Sequence, residues 1–132
     1  LVEVDGQGRD LFLLHTIGSN DTYGRTDTFL DKYIFPGGRL PLIKEIGTSI
    51  ENIFIMEDWH NFGSDYSKTL MAWFENFDAA WPKFEKKYVN RFYSMWKYYL
   101  LACAGSFRAR KLQLWQIVLS KKGVPGGYQS VR

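Results

Sequence analysis

The chain has 132 residues, of which 45% are hydrophobic and 23% charged, and its formal net charge is +3. This length suits one domain with a moderate core, and no apolar run approaches the roughly 20 residues that a membrane-spanning helix needs. The single cysteine, Cys103, excludes an internal disulfide and suits a reducing compartment, so the cytoplasm is the expected location.

The positive charge is concentrated in the second part of the sequence. Residues 1–82 contain six Lys/Arg and thirteen Asp/Glu, whereas residues 83–132 contain eleven Lys/Arg and a single acidic residue, Glu85. A basic, aromatic-rich half is typical of proteins that bind an anionic partner, either nucleic acid or a phospholipid surface. A solvated face that balances an acidic half is an equally good interpretation.

Hydrophobic periodicity predicts strands that alternate with helices. The elements in chain order are a turn at 5–10, a buried strand at 11–17, a polar connection at 18–40, a helix at 41–50, a strand at 53–57, a helix at 67–81 that Pro82 ends, a helix at 84–104 that Gly105 caps, and a strand at 112–119. Three strands make a thin sheet, so we expect an α/β fold in which residues 1–132 form one incomplete domain.

Polar and ionisable side chains follow directly after the strand predicted at 53–57. The sequence from Glu57 to Tyr66 contains carboxylates, a histidine, an amide and a tyrosine. Burying such groups is costly unless they face a polar pocket, and ligands of open α/β sheets bind beyond the carboxyl ends of the strands. This stretch is therefore predicted to border a binding site.

Four blocks of the sequence resemble cyclopropane-fatty-acyl-phospholipid synthases, with the mycolic acid cyclopropane synthases as more distant relatives. The blocks occur in the order and spacing of that family and extend over nearly the whole chain. They are LLHTIG at 13–18, DKYIFPGG at 31–38, EDWHNFGSDY at 57–66, and ACAGSFR at 102–108 with QLWQ at 113–116.

The resemblance implies the C-terminal portion of a class I, Rossmann-like methyltransferase fold. The chain would supply the fifth, sixth and seventh strands, with the last one antiparallel and lying between the other two. The nucleotide-binding half would be missing. In agreement, the Gly6-Gln7-Gly8 pair does not fit a dinucleotide-binding motif, because a strand follows it where a helix is required.

The reaction implied by the resemblance adds a methylene from S-adenosylmethionine across a cis double bond of a phospholipid acyl chain. Only the intact enzyme would carry it out. This chain by itself is expected to be inactive and to show no binding of S-adenosylmethionine, because the half that holds the methyl donor lies upstream in the family.

The resemblance also implies a bicarbonate ion that acts as the base of the reaction. His15 and Tyr66 match the side chains that bind this ion, and the backbone N–H of Ile17 would be a further donor. Glu57 matches an acidic residue beside the site and would orient His15 or the anion, although a helix cap or an ion pair explains it equally well. Cys103 matches a cysteine proposed to be catalytic, but its place on an apolar helix face is typical of a structural cysteine.

The partners that follow are an unsaturated phospholipid and a membrane surface. Helices after the sixth strand would line an acyl tunnel, and the basic half would attract an anionic bilayer, so we expect a peripheral protein at the inner face of the membrane. No nucleic acid partner is expected, and an incomplete sheet with an open edge predicts self-association, by strand exchange for example. The two histidines and one cysteine lack metal-ligand spacing, so His60 is interpreted as structural.

Two other hypotheses remain open from the sequence. The chain could be a self-standing lipid- or protein-interaction module, which salt-sensitive binding to anionic vesicles would favour. The intact enzyme could instead be a related lipid C-methyltransferase that makes methyl-branched or mycolic-type products, which product analysis would decide.

Overall fold

The computed structural model describes residues 2–4, 10–20 and 27–130, and it confirms the α/β class. In these ranges the elements are β1 (Val2–Val4), β2 (Asp10–Ser19), α1 (Thr28–Tyr33), α2 (Ile43–Ile50), β3 (Ile55–Asn61), α3 (Gly63–Ala80), a 3₁₀ helix (Trp81–Lys83), α4 (Asn90–Arg108) and β4 (Leu112–Ser120). Of the turn predicted at 5–10, including the Gly6-Gln7-Gly8 pair, only Asp10 lies within the described residues. None of the described helices has both the length and the apolarity to cross a bilayer.

The chain divides into two compact units. The first contains the strands together with α2, and the second contains α1, α3, the 3₁₀ helix and α4. The sheet of the first unit has the strand order β1-β2-β4-β3, in which β1 is antiparallel to β2 and β3 is antiparallel to β4. The last strand therefore lies between the two strands before it, as predicted. The sequence prediction omits β1, because three residues are too few to show a period.

Two strands, β2 and β3, extend further than their sequence patterns predict. β2 continues to Ser19, and β3 runs to Asn61 rather than ending at residue 57. The polar stretch expected beyond β3 therefore begins inside it, and this part of the prediction is wrong. Pairing with β4 holds these residues in the strand, and a register shift between Met56 and Asp58 accommodates Glu57.

One face of the sheet packs against α2. The buried cluster there consists of Ile46, Trp115, Ile117 and Leu119, and around it lie Phe12, Leu14, Ile50, Phe54 and Trp59. At the start of α2 the Glu45 carboxylate accepts a hydrogen bond from the backbone N–H of Leu42 at 2.9 Å and binds Arg39 at 2.7 Å. The carboxylate thus satisfies a donor that the first helical turn leaves unpaired.

A short helix, α1, occupies part of the connection predicted at 18–40. The carboxylate of Asp27 caps it by accepting hydrogen bonds from the backbone N–H groups of Phe29 and Leu30 at 2.9 and 3.1 Å. The ring of Phe29 packs edge-on against Tyr98 of α4, with centroids 4.5 Å apart. Sequence patterns do not detect α1 because six residues are too few for a helical period.

α3 and α4 pack together through aromatic side chains. Phe77 stacks on Tyr93 with ring centroids 5.5 Å apart, and the Tyr93 hydroxyl donates a hydrogen bond to Asp78. The predicted bounds of α4 are wrong at both ends, since the helix starts at Asn90 and passes through Gly105 to Arg108. It ends where Arg110 takes a φ of 61°, in the left-handed region that closes many helices.

Candidate active site

A row of polar side chains crosses the sheet on the face away from α2. Gln116 of β4 alternates with the residues that pack on α2, and its side-chain nitrogen lies 3.3 Å from Nδ1 of His15 on β2. His60 of β3 is the register partner of Gln116 and shares its face. The ring of Phe62 packs against both imidazoles, with centroid distances of 5.6 Å to His15 and 5.4 Å to His60.

The contact between the Gln116 amide and Nδ1 favours one tautomer of His15. An amide NH₂ group can only donate, so Nδ1 accepts and the proton of the neutral ring lies on Nε2. Nε2 has no hydrogen-bond partner among the described residues, and the side chain is exposed. His15 therefore presents an N–H donor to its surroundings, which suits the binding of an anion.

Replacing Gln116 with leucine is expected to weaken the preference of His15 for the Nε2–H tautomer. The ratio of the Nε2–H form to the Nδ1–H form should fall about five-fold, because one hydrogen bond contributes about 1 kcal/mol. The ratio is measured from the ¹⁵N shifts of the His15 ring at mildly alkaline pH. Gln129→Leu, an exposed amide in the C-terminal segment, is the control and should leave the ratio unchanged. An unaltered ratio in Gln116→Leu would contradict the assignment.

The carboxylate of Glu57 is engaged at the other end of β4. Its Oε1 accepts hydrogen bonds from the Ser120 hydroxyl at 2.5 Å and from the backbone N–H of Val124 at 2.9 Å. The Ser120 oxygen in turn accepts from the N–H of Gly123 at 2.9 Å. These contacts hold the turn that follows β4 and give Glu57 a structural role. That Glu57 also orients His15 or its anion stays a prediction of the resemblance.

Gln113 and Trp115 join the last strand to its neighbours. The Gln113 Oε1 accepts hydrogen bonds from Asn61 Nδ2 at 2.7 Å and from Trp115 Nε1 at 2.8 Å. The Trp115 ring meets Trp59 edge-on with centroids 5.2 Å apart, and it covers Gly18 of β2 so closely that a Cβ there would lie 2.0 Å from it. Three of the four resemblance blocks thus meet in one sheet.

Sequence reasoning assigns no role to Gln116, although it belongs to the QLWQ block. The sequence feature that could have identified Gln116 is the pair of amides, Gln113 and Gln116, in an otherwise apolar strand. Since a buried or half-buried amide needs a partner, such residues in a strand merit the same attention as histidines.

Tyr66 lies in the first turn of α3 rather than before the helix. Its ring packs edge-on against Trp73 and Phe107, with centroids 5.8 and 5.1 Å away. Burial, and to a smaller extent Cys103, raises the pKa of Tyr66, so the hydroxyl keeps its proton at neutral pH. The hydroxyl makes no hydrogen bond to a described residue and is thus available as a donor to a ligand.

Cys103 is buried on α4 in surroundings that oppose ionisation. Burial, with a smaller contribution from the charge of Asp27, raises the pKa of its thiol from 9.0 to about 11. Both causes act against the thiolate, of which roughly one molecule in ten thousand would be present at neutral pH. This environment favours the structural interpretation of Cys103.

Alkylation of Cys103 by iodoacetamide is therefore expected to be slow in the folded chain. At pH 8 the rate should be about 100-fold below that of a free cysteine and should rise until the pH nears 11. The thiol has a lower pKa in the unfolded chain than in the folded chain, so its ionisation stabilises the unfolded state. The free energy of unfolding therefore falls as the pH rises from 9 to 11. The same chain in denaturant is the control. Alkylation of the folded chain at the free-cysteine rate would contradict the burial argument.

Each unit has a groove among its described residues. The second unit has an aromatic groove of about 390 Å³, lined by Trp73, Phe77, Trp81, Phe84, Tyr88, Phe92, Trp96 and Leu100. A depression of about 730 Å³ beside α2 in the first unit contains none of the predicted site residues. In the described ranges, no three His, Cys, Asp or Glu side chains come together as metal ligands.

Comparison with known sequences gives close matches. The family described as mycolic acid cyclopropane synthetase matches residues 3–117. The cyclopropane-fatty-acyl-phospholipid synthase of Escherichia coli K12 is 56% identical over 122 residues, which are 92% of this chain and 32% of that protein. The chain thus spans about a third of the length of this relative. The cyclopropane mycolic acid synthase 2 of Mycobacterium leprae is 34% identical over 94 residues, which are 70% of this chain and 30% of that protein.

Solved structures match at the level of the fold. The cyclopropane synthase MmaA2 of Mycobacterium tuberculosis superposes with a TM-score of 0.76 and 25% identity, over 86% of this chain and 45% of that one. The mycolic acid cyclopropane synthase CmaA1, complexed with SAH and CTAB, gives a TM-score of 0.74 and 26% identity over the same shares.

Proposed function

The chain belongs to the mycolic acid cyclopropane synthetase family, and from this membership we propose that the full-length protein converts a cis double bond of a phospholipid acyl chain into a cyclopropane. The methylene comes from the methyl group of S-adenosylmethionine, which the remainder of the full-length protein binds. Identity to the phospholipid synthase of Escherichia coli is 56%, against 34% for the mycolic acid enzyme, and this difference supports a phospholipid substrate.

The chemistry sets two requirements for the site. An alkene is a weak nucleophile, and methyl transfer to it leaves a carbocation on the acyl chain. A base must then take a proton from the added methyl group so that the electron pair of the C–H bond closes the ring. Water has to be kept away, because it would trap the cation.

His15 and Tyr66 suit the binding of the anionic base. The observation that carries the proposal is the contact between Gln116 and His15, because it makes His15 Nε2–H a donor. The Tyr66 hydroxyl, which keeps its proton and has no partner among the described residues, is a second donor. We propose that both groups, with the backbone N–H of Ile17, hold a bicarbonate ion. Bound there, bicarbonate would supply the base for ring closure.

The aromatic groove of the second unit suits the acyl chain. Its lining is apolar along the whole length, from Trp73 to Leu100, and no charged side chain contributes to it. Aromatic faces attract a cation without offering a nucleophile that would trap it. We propose that this groove holds part of the acyl chain and keeps water from it.

We further propose a cytoplasmic location at the inner face of the membrane, together with self-association of the protein. The excess of ten positive charges in residues 83–132 supports contact with an anionic surface. In the described ranges, β1 pairs with residues 10–12 of β2, and Ser19 at the end of β2 forms a bridge with Leu42. Residues 13–18 of β2 therefore offer further edge for another strand. Light scattering should show a species heavier than one chain, and a monomer would contradict the self-association.

Product analysis tests the proposed reaction. The full-length protein with S-adenosylmethionine and an unsaturated phospholipid should yield acyl chains that are one methylene heavier and contain a cyclopropane. A methyl-branched product, or turnover of mycolic substrates alone, would overturn the assignment, and vesicle binding without any product would favour an interaction module. The 132-residue chain by itself should show no calorimetric binding of S-adenosylmethionine, and micromolar binding would contradict that expectation.

A further inference from the structure

We propose that residues 83–91, here called the docking segment, form the surface through which the protein binds an anionic phospholipid bilayer. The inference rests on the proposed function, since it adds the route by which the lipid reaches the aromatic groove. It goes beyond a general attraction to membranes because it assigns the contact to the connection between the 3₁₀ helix and α4 and to the helix residues that flank it.

The docking segment exposes large apolar side chains. Phe84 is 46% exposed, Tyr88 39% and Val89 72%, all within six consecutive residues. Apolar side chains that lie together on the surface mark sites of interaction with a membrane or another protein. Aromatic rings are also the side chains that settle at the level of lipid headgroups.

Cations surround these apolar side chains. Lys83, Lys86 and Lys87 are exposed, and in the part of the chain that the structure describes none of them forms an ion pair. Lys87 lies over the ring of Tyr88, 5.7 Å from its centroid. Glu85 is the single acidic residue of the segment, so the lysine charge is available to an anionic surface.

The segment has a fixed backbone. The N–H of Glu85 donates to the carbonyl of Trp81 at 3.0 Å, and the N–H of Tyr88 donates to the carbonyl of Phe84 at 2.9 Å. Because these turns are formed in advance, little conformational entropy is lost when the segment meets a partner.

The groove and the exposed surface share residues. Phe84 and Tyr88 line the aromatic groove and also belong to the docking segment, so apolar surface is continuous between the two. A bilayer combines an anionic surface with an apolar interior and therefore satisfies both features of the segment. A nucleic acid would pair with the lysines but leave Val89 and Phe84 in water.

Vesicle binding of the full-length protein tests the proposal. The probe is vesicles of equal parts phosphatidylglycerol and phosphatidylcholine at low salt, and the variant is K83E/K86E/K87E. A well-placed lysine contributes on the order of five-fold to partitioning onto the bilayer, so the variant should bind the vesicles at least about 100-fold more weakly. The control, K44E/K121E/K122E, makes the same change in net charge at other exposed lysines, and its vesicle binding should fall only a few-fold.

The apolar contribution has its own variants. At high salt, where charge is screened, F84S/V89S should lower the vesicle binding that remains. The control I43S/I53S removes two other exposed apolar side chains and should leave this binding unchanged. Equal losses in both lysine variants, or in both serine variants, would overturn the proposal. If K83E/K86E/K87E no longer self-associates but binds vesicles as before, the docking segment binds a second copy of the protein, and the proposal is overturned too.

Activity separates this proposal from the proposed function. K83E/K86E/K87E should lose activity on vesicles and keep it on phospholipid dispersed in detergent, where no bilayer has to be bound. If the unaltered protein makes no cyclopropane from either substrate form, the proposed function fails, while the vesicle comparison still decides the docking segment. Equal loss of activity on vesicles and detergent would overturn the docking role.

Discussion

His15→Ala in the full-length protein is expected to lower kcat/KM by about 100- to 1,000-fold, the effect of removing one well-placed donor from a site that stabilises charge. Nε2–H is the donor of His15 that Gln116 leaves available, and an alanine supplies none. His15→Gln keeps an N–H donor in a similar position and should recover part of the loss. The measurement is cyclopropane formation at several phospholipid concentrations, which separates kcat from KM.

Two control variants make the His15 result specific. His60→Ala removes the second imidazole that packs against Phe62 and should change kcat/KM by no more than a few-fold. Cys103→Ala removes a buried thiol, and it too should stay within a few-fold because the thiol is protonated. A His15→Ala enzyme within three-fold of the unaltered one, or an equal loss in His60→Ala, would remove His15 from the proposed site.

Gly18→Ala is expected to lower the free energy of unfolding by about 3 kcal/mol, at the upper end of the usual cost of overpacking. A Cβ at this position would lie 2.0 Å from Cζ3 and 2.1 Å from Cη2 of Trp115. Trp115 cannot move away easily, because it is 1% exposed and its Nε1 is hydrogen-bonded to Gln113. The strands must separate or the ring must leave its rotamer.

A double-mutant cycle with Trp115→Leu tests this cause. The smaller side chain removes the clash, so the double variant should be less destabilised than the sum of the single ones by about 1–3 kcal/mol in urea unfolding. Gly47→Ala is the control, since a Cβ in this helical position meets nothing within 4 Å and should stabilise the chain by about 0.5–1 kcal/mol. Strict additivity between Gly18→Ala and Trp115→Leu would contradict the packing argument.

The sequence predicts elements well where the signal is local and long. The apolar run at 11–17, the helical period up to Pro82 and the apolar strand at 112–119 all correspond to elements of the structure. Short elements and boundaries are where prediction fails. β3 extends over polar residues because β4 pairs with them, and α4 passes through Gly105 because the helix still finds its backbone partners beyond it.

The sequence by itself determined the α/β class and the family, and it predicted His15 and Tyr66 as site residues, because these follow from local patterns and motif blocks. Only the tertiary structure decided the partners of those residues. The tautomer of His15 depends on Gln116, 101 residues away, and the Glu57 carboxylate is bound by groups 63 and 67 residues further along. Burial likewise decides that Cys103 keeps its proton. Hydrogen-bond partners and desolvation are properties of the folded neighbourhood, which residue order alone does not specify.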